Sequence, residues 1–164
     1  MNDDSANGNG AAGAGPEDHI PRRHEVHCGD AARPPAPLPE TLKQPVDAKS
    51  PARWAYERLV LYLKNFEEQL DADQEVAMGF AGSNAGVLRI EGMGYFDPDI
   101  VTFYGMDGSG VKTQLVQHVT QLNVLLRAMP RPSPDAPPVR IGFQLAADLE
   151  AVQEPAPADD AARK

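Results

Sequence analysis

The chain has 164 residues, 41% of them hydrophobic and 24% charged, with a formal net charge of -9 and a single cysteine. Residues 1–49 carry 8 acids and 5 bases, residues 50–147 carry 11 and 8, and residues 148–164 carry 5 and 2, so each segment is -3. Nucleic-acid binding needs a concentrated positive face and is disfavoured; Cys28 has no partner for an intrachain disulfide, and no stretch approaches the roughly 20 apolar residues of a membrane span.

Residues 1–49 are rich in Asn, Gly, Ala, Asp and Pro, a composition that cannot offset ordering entropy by burial. The expectation is a disordered arm. The opening Met-Asn-Asp-Asp has no apolar run behind it, which argues against a secretory signal and for a cytoplasmic protein. Pro-Pro-Ala-Pro-Leu-Pro at 34–39 favours extended polyproline II, as a stiff spacer or as a ligand for a proline-reading module. His19, His24, His27 and Cys28 carry metal-ligand chemistry, with His24, His27 and Cys28 the tightest group. Their spacing is not that of a structural zinc site, so no metal or other cofactor is expected.

All ten aromatic residues lie between Trp54 and Phe143, and of sixteen prolines only Pro98 falls between Trp54 and Met129. This marks out one domain, residues 50–146. Ser50-Pro51 is a cap followed by a favoured first helical residue. Tyr56, Leu59, Leu63, Phe66 and Leu70 then form one apolar stripe, widened by Trp54, Val60 and Leu61. Glu57, Lys64, Glu67 and Glu68 are expected on the wet side. Val76, Met78 and Phe80 alternate as a strand, and residues 82–86 read as a hairpin loop. Leu88 and Ile90 continue a second strand, in which Gly92 and Gly94 predict a bulge or bend. Asp97-Pro98-Asp99 is a turn. Ile100–Met106 is β-branched and aromatic, the best central strand. Asp107–Gly110 is a second hairpin loop, and Val111–His118 returns as a strand. Thr120 is expected to cap a second helix over 121–129, with Leu122, Leu125, Leu126 and Met129 on one face. Beyond a proline-rich connector, Val139–Leu145 alternates Ile141, Phe143 and Leu145 and predicts a last strand. Residues 147–164 are expected to form a disordered acidic tail. The class is α+β, an antiparallel sheet of four to five strands with two helices on one face.

Motifs that carry chemistry are sparse. Gly105–Thr113 nearly spells a phosphate-binding loop, but Val111 separates the last glycine from Lys112 and a strand follows where a helix is needed. A hairpin turn explains its glycines. His118 is the one histidine inside the domain, and with Asp97 or Asp99 it could act as a general base; a histidine bonded to backbone or to a neighbouring element is the favoured alternative. Tyr95, Phe96, Tyr104, Gln117 and His118 form the candidate binding set.

The stretches Pro51–Leu59, Gly94–Asp99, Thr102–Gly105 and Gln117–Leu126 resemble a family of small bacterial proteins catalogued only as a domain of unknown function. The resemblance covers about Ser50 to Leu145. It implies a bacterial, cytoplasmic origin and no activity, cofactor or catalytic residue. The expected function is a non-enzymatic module that binds another protein through a sheet edge or the Tyr95, Phe96 and Tyr104 region. The alternative is a small hydrolase using His118 with Asp97 or Asp99.

Overall fold

The computed structural model describes residues 20–26, 37–82, 84 and 86–153. The chain divides after Ala48. In the described part of the first unit, Glu40–Lys43 and Val46–Ala48 are short 3-10 turns. His19, His27, Cys28 and Pro34–Ala36 lie outside the described residues.

The second unit holds the helices and strands. Helix α1 spans Pro51–Glu67, with the Ser50 hydroxyl accepting the Arg53 N–H at 3.1 Å and proline in the first turn. Strands β1 (Gln74–Phe80), β2 (Val87–Phe96), β3 (Ile100–Met106) and β4 (Lys112–His118) follow as antiparallel neighbours. A 3-10 turn, Val119–Gln121, leads to β5 (Val124–Pro130), and α2 spans Ile141–Gln153. The sheet order is β4-β3-β2-β1-β5. Strand β2 is the centre, and β3 lies beside it.

Two expectations change places. Val119–Gln121 is a single turn, and the segment expected as the second helix is β5, paired with β1 from Gln74↔Pro130 to Phe80↔Val124. A seven-residue edge of β1 outweighs the local helical spacing, as tertiary pairing commonly does. The segment expected as the last strand opens α2. Ile141, Leu145 and Leu149 pack on the core at a spacing of four, while Phe143 is exposed. Short apolar runs satisfy both periods, and only the partner decides.

Both helices cover one face. Tyr56, Val60 and Leu63 of α1 and Ile141 and Leu145 of α2 meet Val76, Met78, Phe80, Leu88, Ile90, Met93, Val101 and Phe103 of the sheet. Phe80 and Phe103 pack edge to face, with ring centroids 4.8 Å apart. Glu57 and Glu67, expected on the wet side, are each only 2% exposed. Glu57 is bonded to Lys49 and to Arg53 Nε at 3.0 Å. The Glu67 Oε2 accepts the Phe143 N–H at 3.1 Å, at the N-terminus of α2, where backbone donors and the helix dipole favour an acid. The expected bulge is present. Ile90 faces Gly105 and Gly92 faces Tyr104, leaving Glu91 as the extra residue. A Cβ on Gly105 would lie 2.1 Å from the Arg89 carbonyl oxygen, so the strand beside the bulge needs glycine there.

The connector between β5 and α2 is held by arginines. Arg131 donates to the carbonyls of Pro134 (2.9 Å) and Ala136 (2.6 Å). Arg140 donates to those of Gln74 (2.5 Å) and Asp71 (3.0 Å), and Arg89 to that of Pro130 (2.7 Å). Proline-rich backbone offers many acceptors and few donors, and guanidinium groups supply the missing donors.

Candidate functional site

The register of β2, β3 and β4 sorts the candidate binding residues onto two faces. Phe96, Ile100 and His118 form one row; Gly94, Thr102 and Val116 the next; Gly92, Tyr104 and Gln114 the third. These rows lie on the face opposite the helices. Alternation puts the rows between them on the helix side. Tyr95, Val101 and Gln117 share one of those inner rows, with Val101 fully buried and the Tyr95 ring 5.3 Å from that of Tyr56. Phe96, Tyr104 and His118 are therefore brought together, and Tyr95 and Gln117 are not with them. The Gln117 Oε1 is shielded from solvent and has no hydrogen-bond partner among the described residues.

The outer face is apolar at its middle. Phe96 is 75% exposed, Val116 57% and Tyr104 43%. Gly92 and Gly94 carry no side chains between these residues, and a Cβ on Gly94 would meet the Thr102 Oγ1 at 2.9 Å. Val116, Ile100 and Thr102 were not among the sequence candidates. Period-two alternation places Val116 on the face of His118, but pairing register is needed to set it beside Tyr104 and Phe96.

His118 is occupied at both ring nitrogens. The Thr120 N–H donates to Nδ1 at 3.2 Å, and Nε2 lies 3.0 Å from the Asp99 Oδ2. A neutral ring that accepts at Nδ1 carries its proton on Nε2 and donates to Asp99. The Thr120 hydroxyl also lies 2.8 Å from Nδ1. Asp97 is directed elsewhere, accepting the Ser50 hydroxyl. The intervening turn, with a cis Asp97–Pro98 bond, is a junction. The Pro98 carbonyl accepts the Ala52 N–H at 2.9 Å, and the Asp99 carbonyl accepts the Val119 N–H at 2.8 Å. It ties the start of α1 and the end of β4 to one end of the sheet.

The Gly105–Thr113 stretch is the β3–β4 hairpin. The Asp107 carboxylate accepts the N–H groups of Ser109 (2.8 Å) and Val111 (2.9 Å), Gly110 adopts a positive φ of 77°, and Lys112 opens a strand. No helix N-terminus stands behind these glycines. A polar hollow of about 450 Å³ lies between this turn and the β1–β2 loop, lined by Asn84, Arg89, Asp107 and Ser109 among others. Its one cation, Arg89, is bonded to Glu75 at 3.4 Å and to the Pro130 carbonyl. An apolar hollow of about 330 Å³ lies beside α1, among Leu59, Tyr62, Leu122, Val124 and Leu126. Among the described residues no group of three or more His, Cys, Asp or Glu is placed to hold a metal ion. No helix among them is long and apolar enough to cross a membrane.

Two titratable groups are shifted on the helix side. Burial raises the Glu67 carboxyl above its ordinary range, against the opposing pull of the N–H groups of Gly142, Phe143 and Ile141 and of Arg140. Burial likewise raises the Tyr56 hydroxyl, with Asp148 nearby adding to the effect. Neither group faces the outer rows.

Two helices on one face of a five-stranded antiparallel sheet, with exposed apolar residues on the other, define a small α+β domain. The chain belongs to the family of unknown function DUF6173, whose model matches residues 42–144. No curated protein and no solved structure matches it.

Proposed function

We propose that the domain is a non-enzymatic protein-interaction module that takes its partner on the outer face of β2, β3 and β4. The observation that supports this reading is the shared exposure of Phe96, Tyr104 and Val116 on adjoining rows. Exposed apolar patches rimmed by polar groups are the usual mark of a contact surface, and aromatics supply much of the binding energy at such surfaces. Here Gln114, His118 and Lys112 form the rim. The bacterial, cytoplasmic setting belongs to the same reading.

Capture of a partner by the full chain, read by mass spectrometry, tests it. Phe96→Ser with Tyr104→Ser should abolish capture while leaving the thermal midpoint within a few degrees, because both side chains are exposed. An identical set of captured proteins from the double variant would end this reading. The hydrolase alternative draws on the 3.0 Å His118–Asp99 contact. It requires a substrate whose turnover vanishes in a folded His118→Gln protein.

A further inference from the structure

We propose that β4 pairs with β4 of a second copy of this chain, joining two five-stranded sheets edge to edge. The inference is independent of what binds the outer face. It starts from which backbone groups of β4 are free. The Asp107 N–H donates to the Val111 carbonyl before the strand, and the Val119 N–H donates to the Asp99 carbonyl after it. Antiparallel ladders alternate, so Thr113, Leu115 and Gln117 direct their N–H and C=O at β3. Lys112, Gln114, Val116 and His118 direct theirs away from the sheet. Among the described residues no strand pairs on that side.

Unpaired edges are ordinarily blunted by proline, bulges or inward-pointing charge. The other edge strand, β5, ends on Pro130 and carries Arg127 at its middle. β4 has no proline, its pairing with β3 is regular throughout, and its one Lys or Arg is Lys112 at the strand's start. The edge is also self-complementary. A two-fold axis at Leu115 sets Lys112 opposite His118 of the second copy and Gln114 opposite Val116 of the second copy. All four outward-facing residues are then bonded, and shifting the register leaves some of them unpaired.

Side chains agree with this register. On the outer face Lys112 meets His118 of the second copy, which is bonded to Asp99, so a cation faces a carboxylate twice across the axis. On the helix side Thr113 falls opposite Gln117 of the second copy. The two Leu115 side chains meet at the axis and extend the core. A lone seven-residue ladder lies at the small end of specific interfaces, so the dimer should form in the micromolar range.

Sedimentation of the full chain from about 1 to about 200 µM, a range set by that affinity, reads the result. The 17.7 kDa chain should shift to twice that mass as concentration rises. Gln114→Lys with Val116→Lys places like charges opposite each other and should leave a monomer. Gln114→Glu with Val116→Glu should do the same, and mixing the two variants should restore a one-to-one dimer. In a Cys28→Ser background, Leu115→Cys should oxidise to a covalent dimer, since directly opposed residues stand about 4.5–5.5 Å apart. A wild-type chain that stays monomeric at the highest loading would overturn the proposal. So would a dimer that persists in either charged variant, or folded variants that do not associate when mixed.

Discussion

Gly142 sits where the two helices cross. A Cβ there would lie 2.6 Å from the Lys64 backbone nitrogen and 2.7 Å from the Leu63 carbonyl carbon. Those atoms belong to a helix and cannot step aside, so Gly142→Ala should cost about 1–3 kcal/mol as overpacking, read by denaturant titration. Beside it, Glu67 makes stability depend on pH. Burial raises its folded pKa above the ordinary 4.5, so the folded chain holds a proton that the unfolded chain has released. Stability contributed by that difference is full below the ordinary value and is lost as pH rises through the raised one. Glu67→Gln keeps an acceptor for the Phe143 N–H and should flatten the stability profile above pH 4.5; an unchanged slope would assign the titration to another group. At His118 the change to glutamine removes one ring held by Thr120 and Asp99. It should cost roughly 1–2 kcal/mol, since the hydrogen bonds to Thr120 and to Asp99 are both altered at a half-exposed site, with calorimetry as the check.

Among the elements, α1 was legible from its cap and stripe, and its fully buried Leu63 lies on that stripe. Leu63→Ala should cost about 2–5 kcal/mol. Lys64→Ala, which loses only a cation 5.7 Å from the Phe143 ring centroid, should cost under about 1; equal losses in chemical denaturation would contradict the packing of α1. The first four strands and the bulge were legible because alternation and glycine mark them locally. The exchange of β5 and α2 was not, because Leu122, Leu125, Leu126 and Met129 fit a helix as well as a strand. The deciding fact is β1's need for a second partner, which lies about 50 residues away in sequence. Glu57 and Glu67 were misplaced for a related reason. A buried acid looks like a solvated one until Lys49, Arg53 or the start of α2 is set against it. Phe96, Tyr104 and His118 were singled out in the sequence; alternation separates them from Tyr95 and Gln117, and pairing register sets them on adjoining rows.

For the whole molecule, α2 carries the described chain past residue 146. Leu149 packs on the core and the helix continues to Gln153. A chain ending at 146 should therefore melt several degrees below one ending at 153, since it loses the partly buried Leu149 and the last turns of the helix that carries it, a loss of about 1–2 kcal/mol; matching calorimetric midpoints would show the last turns of α2 to be dispensable. The sheet itself is two ladders, β5-β1-β2 and β2-β3-β4, that share one strand. That sharing has a consequence for isotope exchange. Strand β2 joins β1 at Val87 and Leu88 and β3 from Arg89 to Phe96, so its bonded amides should be released only when the domain opens globally. Along β4 the deuterium pattern should alternate, with 113, 115 and 117 slow and 112, 114, 116 and 118 fast in dilute protein. A β2 that exchanged as quickly as those outward amides would mean the two ladders open one at a time.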